Sequence, residues 1–149
     1  MHLAQANIGI LHYPMDHPNT AEFADNLDSI NALAEASPGF VWRMKEENGN
    51  NTGMKVSDNP LEILNISVWK DVVSLKHFAY KTEHVNFVRK RHKWFVPYPG
   101  PYFAMWWIPV GHLPTTEEAL ERLKILATEG EGVKAFTFRK VYEADQLFS

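Results

Sequence analysis

The sequence predicts an α+β domain in which helices cover an antiparallel sheet. Three observations carry that prediction: period-two apolar alternation at the N-terminus, a helical apolar stripe directly after it, and the element order β-α-β-β-α(α)-β-α-β along the chain. Residues 3–11 form the first predicted strand, since Ala4, Ala6, Ile8 and Ile10 alternate with Gln5, Asn7 and Gly9. Tyr13-Pro14 and His17-Pro18 stop it. From Asn19 or Thr20, Phe23, Leu27, Ile30, Leu33 and Ala34 recur on one face of a helix that Ser37-Pro38-Gly39 ends. Phe40–Lys45 reads as a second strand, and the polar stretch 46–60 as a hairpin connection before the third strand at 62–69. There Leu64, Ile66 and Val68 make an aliphatic face, whereas Ile63, Asn65, Ser67 and Trp69 make a mixed face unlike ordinary core. Residues 71–81 and 83–95 are two helical segments separated at Lys81-Thr82, with Thr82 as cap of the second. Pro97, Pro99, Gly100 and Pro101 impose a loop, Tyr102–Val110 is an aromatic strand, and Thr115-Thr116-Glu117-Glu118 is a capping box opening a helix with Leu120, Leu123 and Leu126 on its inner stripe. A last strand is expected around Ala135–Tyr142.

The first six elements match the split-βαβ, ferredoxin-like arrangement, with a helix and a strand appended. The 149 residues suffice for one core and contain no repeat or linker, so 1–149 reads as a single domain. Helices on one face of such a sheet leave the other to be covered. A second sheet from a partner chain is the expected cover, without which Trp69 and one of Trp106 and Trp107 would lie exposed.

Composition removes several function classes. With no cysteine there is no disulfide framework, thiolate metal site, iron–sulfur cluster or cysteine nucleophile. A net charge of -3 gives no general attraction to nucleic acid or to an anionic membrane, and no apolar run is long enough to span one. With no leader pattern visible, the expected location is cytoplasmic.

Several segments together resemble a known family: Leu3-Ala-Gln-Ala-Asn7, Asn31-Ala-Leu-Ala-Glu-Ala-Ser-Pro-Gly-Phe-Val-Trp-Arg43, Ser67-Val-Trp-Lys-Asp71, and His84 followed by Arg89-Lys-Arg-His-Lys-Trp-Phe95. Trp106-Trp-Ile-Pro-Val-Gly-His-Leu-Pro114 and Glu118-Ala-Leu-Glu-Arg-Leu123 running into Ala135-Phe-Thr-Phe138 belong to the same set. The chain resembles the bacterial domain of unknown function DUF3291, within the dimeric α/β-barrel superfamily that includes the antibiotic-biosynthesis monooxygenases. The resemblance implies a homodimer with a small-molecule pocket in each subunit, and fixes no reaction.

His84 is the first candidate for chemistry, because a neutral imidazole is the side chain best suited to take a proton near pH 7. Tyr80, His84, Val88 and Arg91 are spaced four, four and three apart, which places a phenol, a base and a cation on one helix face. Such a set would deprotonate and hold an acidic phenol or enol, with Asn65 and Arg91 stabilising the anion. The alternative is that His84 bonds a backbone carbonyl and Arg91 pairs with an acid. The run Arg89–Lys93 points around most of a helix and reads as a solvated face, not a nucleic-acid surface. No histidine pair has metal-ligand spacing, so no metal is expected. A single axial ligand to haem needs no such spacing, and His84, His77 and His112 remain open for it. Gly130-Glu-Gly-Val-Lys-Ala135 precedes a strand, the wrong order for a dinucleotide loop.

Trp42, Trp69, Trp94 and Trp106, with Asn7, Asn65 and Ser67, suggest a flat apolar pocket bearing a few orienting polar groups; His112 lines its mouth or serves as a cap. The leading reading is a cofactor-independent, monooxygenase-like enzyme acting on a planar aromatic or polyketide-like small molecule by His-assisted proton abstraction. Haem binding and a non-catalytic ligand-binding dimer are the alternatives.

Overall fold

The computed structural model describes residues 1–45, 59, 61–82 and 84–148. Strand β1 (His2–Ile10) is the centre of the sheet, pairing antiparallel with β3 (Glu62–Trp69) on one side and β4 (Phe103–Ile108) on the other. Strand β2 (Phe40–Arg43) adds to β3, so the order is β2-β3-β1-β4. This is the antiparallel, α+β, ferredoxin-like arrangement predicted from the sequence. Whether 46–60 closes over the domain lies outside the described residues, apart from Asn59. No described helix is long and apolar enough to cross a membrane.

Register decides what each face becomes, because a side-chain period of two commits every second residue to one side. Ala4, Ala6 and Ile8 of β1, Leu64, Ile66 and Val68 of β3, and Ala104, Trp106 and Ile108 of β4 form one buried aliphatic face. Helix α5 (Thr116–Glu129) covers it with Ala119, Leu123 and Leu126. Thr115 caps α5 by accepting from the Glu118 N–H at 3.1 Å, but the capping box is only half made. The Glu118 carboxylate accepts instead from Trp106 Nε1 at 2.7 Å and pairs with His112 Nε2 at 2.6 Å. The appended helix thus covers this face within the single chain. Trp69, Trp106 and Trp107, expected to leave an exposed aromatic without a second chain, are all buried in the single chain.

The opposite face carries Leu3, Gln5, Asn7 and Gly9 and is roofed by α1 (Ala21–Ala36) and α2 (Val72–Lys81). Asp71 caps α2, accepting from Ser74 N at 2.8 Å and Ser74 Oγ at 2.7 Å; those bonds hold its carboxyl below the usual range. Gly39, which turns α1 into β2, has φ of +84°, and a Cβ there would lie 2.0 Å from Ser74 Oγ. Only glycine meets both conditions.

Two expected elements differ. The helix read as 83–95 is two pieces, α3 (His84–Arg89) and α4 (Arg91–Trp94), interrupted at Lys90. The final strand around Ala135–Tyr142 does not form: Phe136 bridges to Met105 of β4, with bonds of 2.7 and 3.0 Å, and Ala135 bridges only back to Gly132. The Glu131 carboxylate then accepts the Thr137 N–H, and a turn from Thr137 to Lys140 precedes Tyr142, whose carbonyl accepts from Trp107 Nε1 at 2.8 Å, and a short 3-10 turn at Ala144–Phe148.

Candidate functional site

Between the mixed face of the sheet and helices α1–α4 lies a cavity of about 860 Å³, toward the upper end of the roughly 300–1,000 Å³ usual for small-molecule sites. Its floor is an amide–hydroxyl network. Gln5, only 3% exposed, donates from Nε2 to Ser67 Oγ at 2.6 Å and to Asn65 Oδ1 at 3.0 Å, while its Oε1 accepts from Asn7 Nδ2 at 3.1 Å. Trp69 Nε1 also donates to Ser67 Oγ, at 2.9 Å. With two donors already on its oxygen, the Ser67 hydroxyl must direct its own hydrogen to a third group. Asn65 Oδ1 is likewise occupied, which turns its Nδ2 into the group available for donation. The floor therefore offers donors to a ligand oxygen. In the roof, Asn31 of α1 is 6% exposed, and its Nδ2 is buried with no hydrogen-bond partner.

The walls are aromatic. Trp69 stacks on Phe78 at 5.2 Å, and Phe78 meets the His84 ring at 4.5 Å. Phe103 stacks on Phe138 at 5.5 Å, with Tyr80 edge-on to Phe138. Thr82 Oγ1 accepts the His84 backbone N–H at 3.2 Å, as expected of the cap, and also donates to Phe78 O at 2.6 Å. His84 Nδ1 lies 3.3 Å from the Ala79 carbonyl. A carbonyl only accepts, so in the neutral ring Nδ1 carries the proton and Nε2 the lone pair. Burial lowers the His84 pKa below its usual value, partly opposed by the bond to Ala79, so the neutral ring prevails at pH 7.

Of the residues singled out in the sequence, Asn7, Asn65, Ser67, Trp69, Tyr80, His84, Arg91 and Trp94 all line this cavity. Tyr80, His84, Val88 and Arg91 share its wall despite two helix breaks. They are not all close to one another, however. His84 packs at a tilt against Phe78 beside Trp69, which pairs with Leu3 at the start of β1, whereas Arg91 meets Ile8 and Gly9 near its end. Arg91 and His84 thus meet different stretches of the sheet.

Three expectations are corrected. Trp106 lies on the other face of the sheet beneath α5, because alternation along β4 puts it with Ala104 and Ile108. Trp42 packs at the margin of that same aliphatic cluster, outside the cavity. His112 is 42% exposed, paired with Glu118, and does not line this cavity. Sequence reading passed over Gln5, Asn31, Phe78 and Tyr102. The polar alternation of Gln5 with Asn7 in a strand flanked on both sides was the one usable signal.

Gly9 shapes the far end of the cavity. A Cβ there would lie 2.5 Å from two ring carbons of Phe95 and 3.1 Å from Arg91 Nη2. Phe95 is itself buried with Phe23 and Trp94 and has little room to retreat. Gly9→Ala is expected to cost about 1–3 kcal/mol by overpacking, read as a lower urea midpoint at unchanged slope.

The family described as "Domain of unknown function (DUF3291)" matches residues 2–148. Among solved structures, NE2512, a protein of unknown function from Nitrosomonas europaea, is 15% identical with a TM-score of 0.50, covering 76% of this chain and 95% of that one. SnoaB, a cofactor-independent oxygenase from Streptomyces nogalater, is 16% identical with a TM-score of 0.49, covering 76% and 98%. A dabb family protein with a ferredoxin-like fold from Mesorhizobium loti is 15% identical with a TM-score of 0.46, covering 74% and 100%. Identities this low bear on fold alone. No curated protein matches the chain.

Proposed function

We propose, from the premise that the chain belongs to the DUF3291 family, that it is a small-molecule enzyme working without a cofactor, which removes a proton from a planar aromatic or polyketide-like substrate. The observation that carries this reading is the meeting, in one aromatic-walled cavity, of a neutral imidazole with an oriented lone pair and a floor of fixed donors. His84 Nε2 takes the proton from an acidic C–H or O–H. The charge that develops on the conjugated ligand oxygen is met by Asn65 Nδ2 and the Ser67 hydroxyl, already oriented by Gln5 and Trp69 and so needing little reorganisation. Trp69, Phe78 and Trp94 hold the ring system. The resulting anion is the common starting point for reaction with dioxygen, isomerisation or elimination.

Anthrone, a planar tricyclic ketone with an acidic methylene, serves as the probe. In deuterated buffer the protein should accelerate exchange of the methylene protons, followed by NMR, while the ligand quenches tryptophan fluorescence. Quenching without faster exchange would leave a passive binder. A saturable Soret shift on titration with haemin, lost in His84→Ala, would replace the reading with porphyrin binding.

A further inference from the structure

Arg91 is held in a way that the proton-transfer reading does not use. Its Cζ lies 4.4 Å from the centroid of Phe95 and 4.6 Å from that of Tyr102, so the guanidinium is flanked by two rings. Nη2 donates to the Ile8 carbonyl at 3.2 Å, on the residue whose N–H bonds Tyr102 O at 2.9 Å. The bare backbone at Gly9 leaves room for both the cation and the Phe95 ring. These contacts fix the plane of the guanidinium and satisfy one of its five N–H groups.

No carboxylate forms an ion pair with Arg91 among the described residues. Of the other guanidinium groups on the cavity wall, Arg43 is paired with Glu35 at 2.7 Å and Arg139 is exposed. Burial presses the Arg91 pKa below its ordinary value, with Tyr102 opposing, yet a guanidinium does not lose its proton in a protein. A half-buried charge with no ion-pair partner is costly, and the fold has built one into the wall of a ligand-sized cavity.

We infer that Arg91, clamped between Phe95 and Tyr102, is the seat for a permanent carboxylate at one end of an elongated aromatic ligand. A planar fork matches the two oxygens of a planar carboxylate. The inference deepens the proposed function and rests on its reading of the cavity as the ligand site. Arg91 lies seven positions after His84, which at 1.5 Å per residue is roughly 10 Å for an unbroken helix; here α3 and α4 are separated at Lys90. The carboxylate therefore docks at a distance from the reacting centre that a bicyclic or tricyclic framework spans, and it orients the ligand instead of stabilising the charge formed in the reaction.

The test compares 2-naphthoate with its neutral isostere 2-naphthamide, each titrated into the full chain and read by tryptophan quenching. The naphthoate should bind about 10- to 100-fold more tightly, the range for a hydrogen bond to a charged group. Arg91→Met should abolish the preference, bringing naphthoate down to the level of the amide while lowering the amide's affinity far less. Arg91→Lys should keep part of the preference, since it retains charge without the fork. Equal binding of the two probes by the unmodified protein, no binding of naphthoate, or an undiminished preference in Arg91→Met overturns the inference. The affinity ratio is read without turnover and should be unmoved by His84→Gln. Failure of the base assignment leaves the ratio standing, and a ratio of one leaves the base assignment intact.

Discussion

Trp69→Ala is expected to lower stability by about 3–5 kcal/mol, the range for deleting a buried tryptophan. The side chain is 1% exposed and fills the angle between Phe40, edge-on at 5.4 Å, and Phe78, stacked at 5.2 Å. Phe40 belongs to the neighbouring strand and Phe78 to the roof helix, so the indole joins sheet to helix and collapse around an alanine would be partial at best. Against a total stability of about 5–15 kcal/mol, the loss is a third or more for a domain in the middle of that range. Urea unfolding followed by far-UV circular dichroism reads it directly. Trp69→Phe should be much milder, because a ring still fills most of the space while the N–H to Ser67 is lost, at about 1 kcal/mol. An alanine variant within 1 kcal/mol of the parent would show that the aromatic contacts do not hold the roof to the sheet.

The same residue shows how far the sequence could be read. Trp69 was legible as part of a mixed strand face because Asn65 and Ser67 precede it at even spacing, and such polar residues on a central strand do not suit ordinary core. The fold was legible for a related reason: alternation and helical stripes are local properties of the chain, and the strand order follows from them by few routes. The site was less so. Trp106 and Trp107 differ by one position, and only the register with β1 decides that Trp106 goes beneath α5 while Trp107 joins Leu3 and Trp69. His112 and Glu118 lie six apart, across the start of a helix, and nothing local tells that the carboxylate turns to them instead of completing its own cap. The last strand stops after the bridge at Phe136 because the next backbone N–H, at Thr137, is taken by the Glu131 carboxylate instead of by β4, which a favourable β pattern does not reveal. Arg91 and His84 share a helix face in the sequence, but only the break at Lys90 and the contacts with β1 show that they sit toward different ends of the cavity.

His84→Gln should reduce proton exchange of a bound anthrone by about 10²–10⁴-fold, the usual contribution of a positioned base. Glutamine keeps polarity and approximate size, and its amide can still donate toward the Ala79 carbonyl, but it offers no basic nitrogen. Ligand binding, read by tryptophan quenching, should change far less than the rate, which separates loss of chemistry from loss of the pocket. The pH profile supplies the second readout. Burial lowers the His84 pKa from 6.5, so the catalytically competent neutral form grows as pH rises through that lowered value and is complete by neutrality. The exchange rate of the parent should therefore climb on the acid side of 6.5 and then level off, after subtraction of the hydroxide-driven background. In the variant that acid limb should vanish. Stability follows the same sign: the unfolded chain binds the proton more readily than the folded one, so His84 subtracts stability as pH falls below 6.5 and through the folded value. The glutamine variant should lose part of that acid sensitivity in urea midpoints measured across the same window. Unchanged exchange with the acid limb intact would remove His84 from the chemistry and leave the cavity as a binding site whose reactive group lies elsewhere on its floor.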